Sequence, residues 1–204
     1  MSRVVLAATM VAALVPSVIL HEIAHAYTAD HFGDGTARRA GRVSFNPIRH
    51  VDPLGSLVVP GLMVLFVPFV VAWAKPVPVL QANLRNPRLH SVWVALAGPA
   101  TNFALAGFGL LATRVLQPQS GSWLWTFLAM ATVVNVLLGV LNLLPIPPLD
   151  GSAIIEFALP RPALARWHRI RPFTMVPLVV LLVLGRDHYE PVIDWAVDLW
   201  SDQQ

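Results

Sequence analysis

The chain has no cysteine. That absence excludes disulfide bonds and every thiolate metal site. Charge is scarce as well: Asp, Glu, Lys and Arg make up 12% of the 204 residues, against about 25% in an ordinary soluble domain. Internal repeats and low-complexity tracts are missing too. A disordered chain and a water-soluble globule both fit these shortages poorly. What is abundant is apolar: 56% of the residues are hydrophobic and the mean hydropathy is +0.64. The combination predicts an all-α polytopic integral membrane protein. A length of 204 suits one unit, so residues 1–204 are expected to form a single membrane-embedded domain. Proline is unusually common, at 18 residues, which predicts broken or re-entrant helices. The net charge of +3 would suit nucleic acid, but basic loops in a membrane chain more often record topology, and no nucleic-acid partner is expected.

Three apolar stretches reach the ~20 residues that a membrane helix needs. They predict core helices over about 4–29, 89–116 and 123–144. Trp123, Trp125 and Phe127 open the third and read as an interfacial anchor. Residues 54–74 are long enough to span but contain Gly55, Pro60, Gly61 and Pro68, and are expected to form a re-entrant or hairpin segment. Residues 173–185 predict a short C-terminal membrane helix, and Glu190–Trp200 an amphipathic interfacial one. Residues 42–46 and 75–80 are β-prone, the second with Pro76 and Pro78 and hence an edge, and predict a small β element.

The chemistry begins with His21-Glu22-Ile23-Ala24-His25. On a helix, His21 and His25 lie one turn apart on one face, and their imidazoles can converge on one metal. Glu22 lies beside that face and can reach a metal-bound water without ligating the metal. With seven His and three Glu in the chain, the pattern is expected by chance only about 0.003 times. Ionisable groups inside a membrane helix are costly and mark function by default. The bland alternative is a polar cluster at a helix end. Ala24, Ala26 and Ala29, which continue the helix, argue against it.

Zinc held by two histidines needs a third protein ligand and an open position. Asp150 is the best candidate. It ends the run Asn142–Asp150, where Pro145, Pro147 and Pro148 cannot continue a helix. Irregular backbone at membrane depth is tolerated only within protein or beside a watery cavity. Asp150 could equally be the N-cap of a helix starting at Ser152.

Three motifs now stand in order: H-E-x-x-H in a first membrane helix, Gly98-Pro99-Ala100-Thr101-Asn102 in a later one, and N-x-x-P-x-P-x-L-D-G ending the next. Together they resemble the site-2 protease family of intramembrane zinc metalloproteases, over about residues 1–160. The runs Asn46–Pro53 and Trp73–Val79 are similar to the compact prokaryotic branch that lacks PDZ and CBS domains. The resemblance implies His21, His25 and Asp150 as ligands of one zinc ion and Glu22 as the catalytic carboxylate.

Other residues carry weaker expectations. Gly98, Asn102 and Ala106 form a small-residue face suited to close helix packing, and Gly98 reads as packing. Asn102 is either a contact to the substrate or its oxyanion, or an interhelical hydrogen bond; Asn135 and Asn142 read as the latter. Lys75, Val77 and Val79 could hold an unwound substrate by strand addition. His50 and Asp52 are candidates for substrate or gate contacts. The cluster Arg161, Arg166, Arg169 and Arg171 reads as membrane-flanking charge.

For the motifs to meet, the end of the first helix, the start of the second and the end of the third must share one membrane side. With 54–74 re-entrant, that side holds eleven Lys and Arg and the other side three. The positive-inside rule then places the protein in the cell membrane with the site nearer the cytoplasmic face and the N-terminus outside. The leading expectation is hydrolysis of peptide bonds in transmembrane protein substrates, with Glu22 acting on a zinc-bound water. The rivals are a non-catalytic membrane zinc or protein-binding scaffold, for which an intact Glu22 is superfluous, and a metal transporter, for which internal repeats are missing.

Overall fold

A computed structural model describes residues 3–52 and 74–174. Its frame is three long helices: α1 (Arg3–His31), α3 (Pro87–Leu116) and α4 (Trp123–Asn142). Each is long and apolar enough to cross a membrane. Shorter helices α2 (Thr36–Arg39), α5 (Ser152–Ala158) and α6 (Arg161–Ile170) and 3₁₀ turns at Pro47–His50, Gln81–Asn83 and Arg171–Phe173 complete the described residues.

The helix ends follow local chemistry. Asn86 caps α3, its side chain accepting from the Leu89 N–H at 3.3 Å, with Pro87 in the first turn. Ser122 caps α4 through the Trp125 N–H at 3.2 Å. α1 stops at Gly33, whose φ of 111° is open to glycine but not to a side chain. There the Asp34 N–H reaches the Ala29 carbonyl at 2.8 Å and the Gly33 N–H the Asp30 carbonyl at 3.0 Å, a Schellman closure. Pro16 and Pro99, however, lie inside α1 and α3 without ending them. A bundle tolerates such prolines where neighbouring groups take up the freed carbonyls.

The packing inverts that of a soluble protein. Many of the buried positions are small or polar, among them Ala13, Ser17, Ala26, Asn102, Ala106, Thr132 and Asn135, beside a few apolar ones such as Ile19, Leu84 and Leu128. Large apolar side chains such as Phe108 (68% exposed) and Val115 (72%) point outward. Lipid removes the hydrophobic penalty for those outer residues, while small residues inside let helices approach closely. Gly109 faces the Thr132 hydroxyl and Gly139 faces the Phe103 ring, so close that a Cβ at either would collide. Inverted packing and three apolar helices make this a multi-pass membrane protein.

One end of the bundle is tied together by polar contacts. Arg85 donates to the carbonyls of His31 and Phe32 at the end of α1. Phe32 stacks on His90, with ring centroids 4.1 Å apart. Arg88 at the start of α3 donates to the carbonyls of Phe157 and Leu159 at the end of α5. The end of α1, the start of α3 and the segment following α4 therefore share one end, as the motifs require. The Lys75 N–H also donates to the His50 carbonyl at 2.8 Å, so the flanks of residues 53–73 are joined at this same end.

No strand is formed among the described residues, which corrects the expected β element. Residues 42–46 bend, and residues 74–80 run extended without a ladder. Pro76 and Pro78 have no N–H to pair, and the N–H groups of Lys75 and Val77 go to a loop carbonyl and a side chain. The expected segment over 54–74, beyond Ala74 itself, lies outside the described residues. So do the Glu190–Trp200 helix and residues 175–185 of the C-terminal membrane helix; Phe173 belongs to a 3₁₀ turn.

Candidate metal centre

His21 and His25 face α3 from the last third of α1, both buried at 7% exposure. The receiving face of α3 carries Val94, Gly98 and Asn102, each one turn after the last. The His25 Nδ1–H donates to the Val94 carbonyl at 2.7 Å, and the His21 Nδ1–H to the Asn102 carboxamide oxygen at 2.6 Å. Gly98, between them, leaves the space the rings occupy: a Cβ there would stand 2.5 Å from His25 Nε2 and 2.6 Å from His21 Nε2.

With both Nδ1 atoms engaged, the two Nε2 atoms are turned to each other, 3.0 Å apart. Asp150 completes the group. Its Oδ2 lies 3.1 Å from His21 Nε2 and 3.3 Å from His25 Nε2. That oxygen is buried and has no hydrogen-bond donor. Two imidazole nitrogens and a buried carboxylate oxygen turned to one point are a donor set suited to a cation. A tetrahedral zinc with ligands at 2.0–2.1 Å spaces them roughly 3.3 Å apart, close to what is observed. His21, His25 and Asp150 could therefore hold a metal ion.

The loop after α4 puts Asp150 there. The Gly151 N–H returns to the Asn142 carbonyl at 2.7 Å, and a side chain at Gly151 would collide with the Leu143 carbonyl. The helix α5 starts one residue on and has no side-chain cap. Of the two readings of Asp150, the carboxylate faces the histidines and not the helix end.

Glu22 sits next to the cluster on α1. Its Oε2 accepts the Val77 N–H at 2.9 Å. Residues 74–80 thus cross the site as a strap, fastened at both ends. At one end the Arg42 guanidinium donates to the carbonyls of Lys75 and Pro76. At the other the fully buried Asp34 carboxylate accepts the Leu80 N–H at 2.6 Å and the Asn83 amide at 2.9 Å, besides the N–H and hydroxyl of Thr36. Burial pushes the Asp34 carboxyl upward, but these donors outweigh it and hold it below the usual carboxylate range.

The model of peptidase family M50 matches residues 117–184. The similar proteins include several that carry the name "Putative zinc metalloprotease". YwhC of Bacillus subtilis is 35% identical over 88% of this chain and 82% of its own length. Rip2 of Mycobacterium tuberculosis is 37% identical over 93% of this chain and 73% of its own. Rip2 of Mycolicibacterium smegmatis is 35% identical over 72% and 56%. The chain belongs to peptidase family M50, the site-2 proteases. No solved structure gives a significant match.

In this M50 chain the weaker candidates separate. Asn102 is fully buried, and both ends of its amide are engaged, the Oδ1 by His21 and the Nδ2 by Asn135 at 2.8 Å. It faces the His21 ring and bridges α3 to α1 and α4, the interhelical hydrogen bond that was one of its two readings. Val77 packs with Ala26 and Ala37, and Val79 packs against the same cluster, so their side chains anchor the strap. With the Lys75 and Val77 N–H groups occupied and Pro76 and Pro78 lacking one, residues 75–78 offer no backbone N–H to an added strand. His50 is buried, donates from Nε2 to the Ser44 carbonyl at 2.8 Å and braces the strap; His50 and Asp52 are not in the three-residue cluster. Sequence reading missed Gly98 as more than packing, although it lies one turn before Asn102. Val94 acts through a backbone carbonyl and had no side-chain signal.

Proposed function

We propose that this chain is an intramembrane zinc metalloendopeptidase that hydrolyses peptide bonds of transmembrane protein substrates. The observation that carries the reading is the convergence of His21 Nε2, His25 Nε2 and Asp150 Oδ2 beside Glu22. The centre is inside the bundle: His25 is ~9 Å along the helix from the end of α1, and Gly98 ~16 Å from the start of α3.

In this reading His21, His25 and Asp150 hold one zinc ion. Zinc bound there supplies Lewis acidity to a scissile carbonyl and to a water molecule. Glu22 is the general base. The Val77 N–H holds its Oε2, which leaves Oε1 to take the proton of the attacking water and return it to the leaving amine. The strap keeps that carboxylate oriented whether or not substrate is present. A helical substrate has its amides bonded internally, so it must unwind before its carbonyl can enter. The basic end of the bundle, with Arg42, Arg85 and Arg88, supports a site nearer the cytoplasmic face and an outside N-terminus.

The test is Glu22→Gln. The purified variant is expected to retain zinc and to lose nearly all cleavage of a panel of single-span membrane proteins reconstituted with it, read by mass spectrometry of the products. Equal product from variant and wild type would refute the assignment of Glu22. A wild type that binds no zinc would refute the metal centre.

A further inference from the structure

Behind the candidate ligands runs a chain of hydrogen bonds across three helices. The Asn135 Nδ2 on α4 donates to the Ala131 carbonyl and to the Ser17 hydroxyl of α1, each at 2.8 Å. The Ser17 hydroxyl spends its own proton on the Ala13 carbonyl at 2.8 Å. Asn102 of α3 donates to Asn135 Oδ1 and accepts from His21 Nδ1. Asn102, Asn135 and Ser17 are all buried, at 0%, 2% and 4% exposure.

The directions in this chain are forced from its far end. A backbone carbonyl only accepts, and the Ser17 oxygen has already given its proton away, so both must meet the NH₂ end of Asn135. The oxygen of Asn135 is then turned towards Asn102, which must present its own NH₂. The oxygen of Asn102 is left facing His21, so the ring proton sits on Nδ1 and Nε2 carries the lone pair. Reversing any amide would set acceptor against acceptor between buried groups. We propose that Asn135 and Ser17 are positioning residues of the metal centre, which act through Asn102 to hold His21 in the one tautomer that can ligate. His25 needs no such chain, because a backbone carbonyl fixes it directly. The proposal rests on the metal-centre reading only for the metal; the tautomer is a property of the apo protein.

Two measurements on the full chain in detergent test it. The first is zinc affinity, by competition with a chromophoric chelator. Asn135→Leu is expected to weaken zinc 10–100-fold, the range for loss of an outer partner of a metal-bound histidine. Ser17→Ala, which removes one acceptor and no bulk, should weaken it less. Adding Asn135→Leu to Asn102→Ala should cost nothing beyond Asn102→Ala alone, because the link is already cut. Thr132→Val is the control, a buried hydroxyl bonded only within its own helix, and should leave zinc unchanged. The second is ¹⁵N NMR of histidine-labelled apo protein. It should report a proton on Nδ1 of His21 in wild type, a mixture of tautomers in Asn135→Leu, and a smaller shift in Ser17→Ala, where the Ala131 carbonyl still holds the Asn135 NH₂ end. Unchanged affinity and tautomer in both variants would overturn the proposal and leave the zinc site standing. Additive losses in the double variant would overturn it too. If wild type binds no zinc, the metal reading fails, and the tautomer measurement alone decides the relay.

Discussion

Gly98→Ala is the sharpest perturbation the geometry offers. The new methyl would stand 2.5 Å from His21 Cε1 and His25 Nε2 and 2.6 Å from His21 Nε2. Comfortable carbon contacts are about 3.5–4.0 Å, so the rings or the helix must move by roughly 1 Å. The helix cannot back away freely, since Val94 and Asn102 on either side of Gly98 hold the two rings by hydrogen bonds of 2.7 and 2.6 Å. Overpacking of this kind costs about 1–3 kcal/mol of stability, which a folded bundle can survive. A metal site cannot absorb it, because ligand distances tolerate only about 0.2 Å. Zinc affinity should therefore fall by at least the 10–100-fold seen when outer partners are lost. The assay is zinc per chain in purified protein, beside circular dichroism and a thermal melt. Gly107→Ala on the same helix is the control, as its Cβ would meet nothing within 4 Å. Full zinc in folded Gly98→Ala, or equal loss in Gly107→Ala, would refute the reasoning.

Three further outcomes follow from the same contacts. Asp150→Ala should bring zinc well below one per chain while the helical signal persists; retained zinc would remove Asp150 from the ligand set. Arg42→Met frees the Lys75 and Pro76 carbonyls, and should slow cleavage with zinc content intact; unchanged turnover would show that the strap does not orient Glu22. The Asp34 carboxyl is held below its unfolded value, so its stabilisation is complete above the unfolded pKa of about 3.9 and is lost as pH falls through the lower folded value. Melting temperatures between pH 5 and 2 should fall more steeply for wild type than for Asp34→Asn, and parallel slopes would contradict the assigned network.

The three core spans, the histidine pair and the family were legible in the sequence because each depends on short-range order. Hydropathy over ~20 residues identifies a membrane helix, and a spacing of four puts two histidines on one face whatever surrounds them. The order of three motifs carried the rest. Pro16 and Pro99 lie inside two of those spans without ending them, whereas the β-prone pattern misled in the strap, where two prolines and two occupied N–H groups prevent a ladder. Whether Asp150 caps a helix or faces the histidines, which way Asn102 points and why Gly98 has no side chain were all undecidable from spacing. Those answers depend on which helix faces meet. His21 and Asn102 are 81 residues apart, and Ser17 and Asn135 are 118 apart. Local propensity encodes a helix and its faces; only the packed bundle decides which lone pair on one face finds which proton on another.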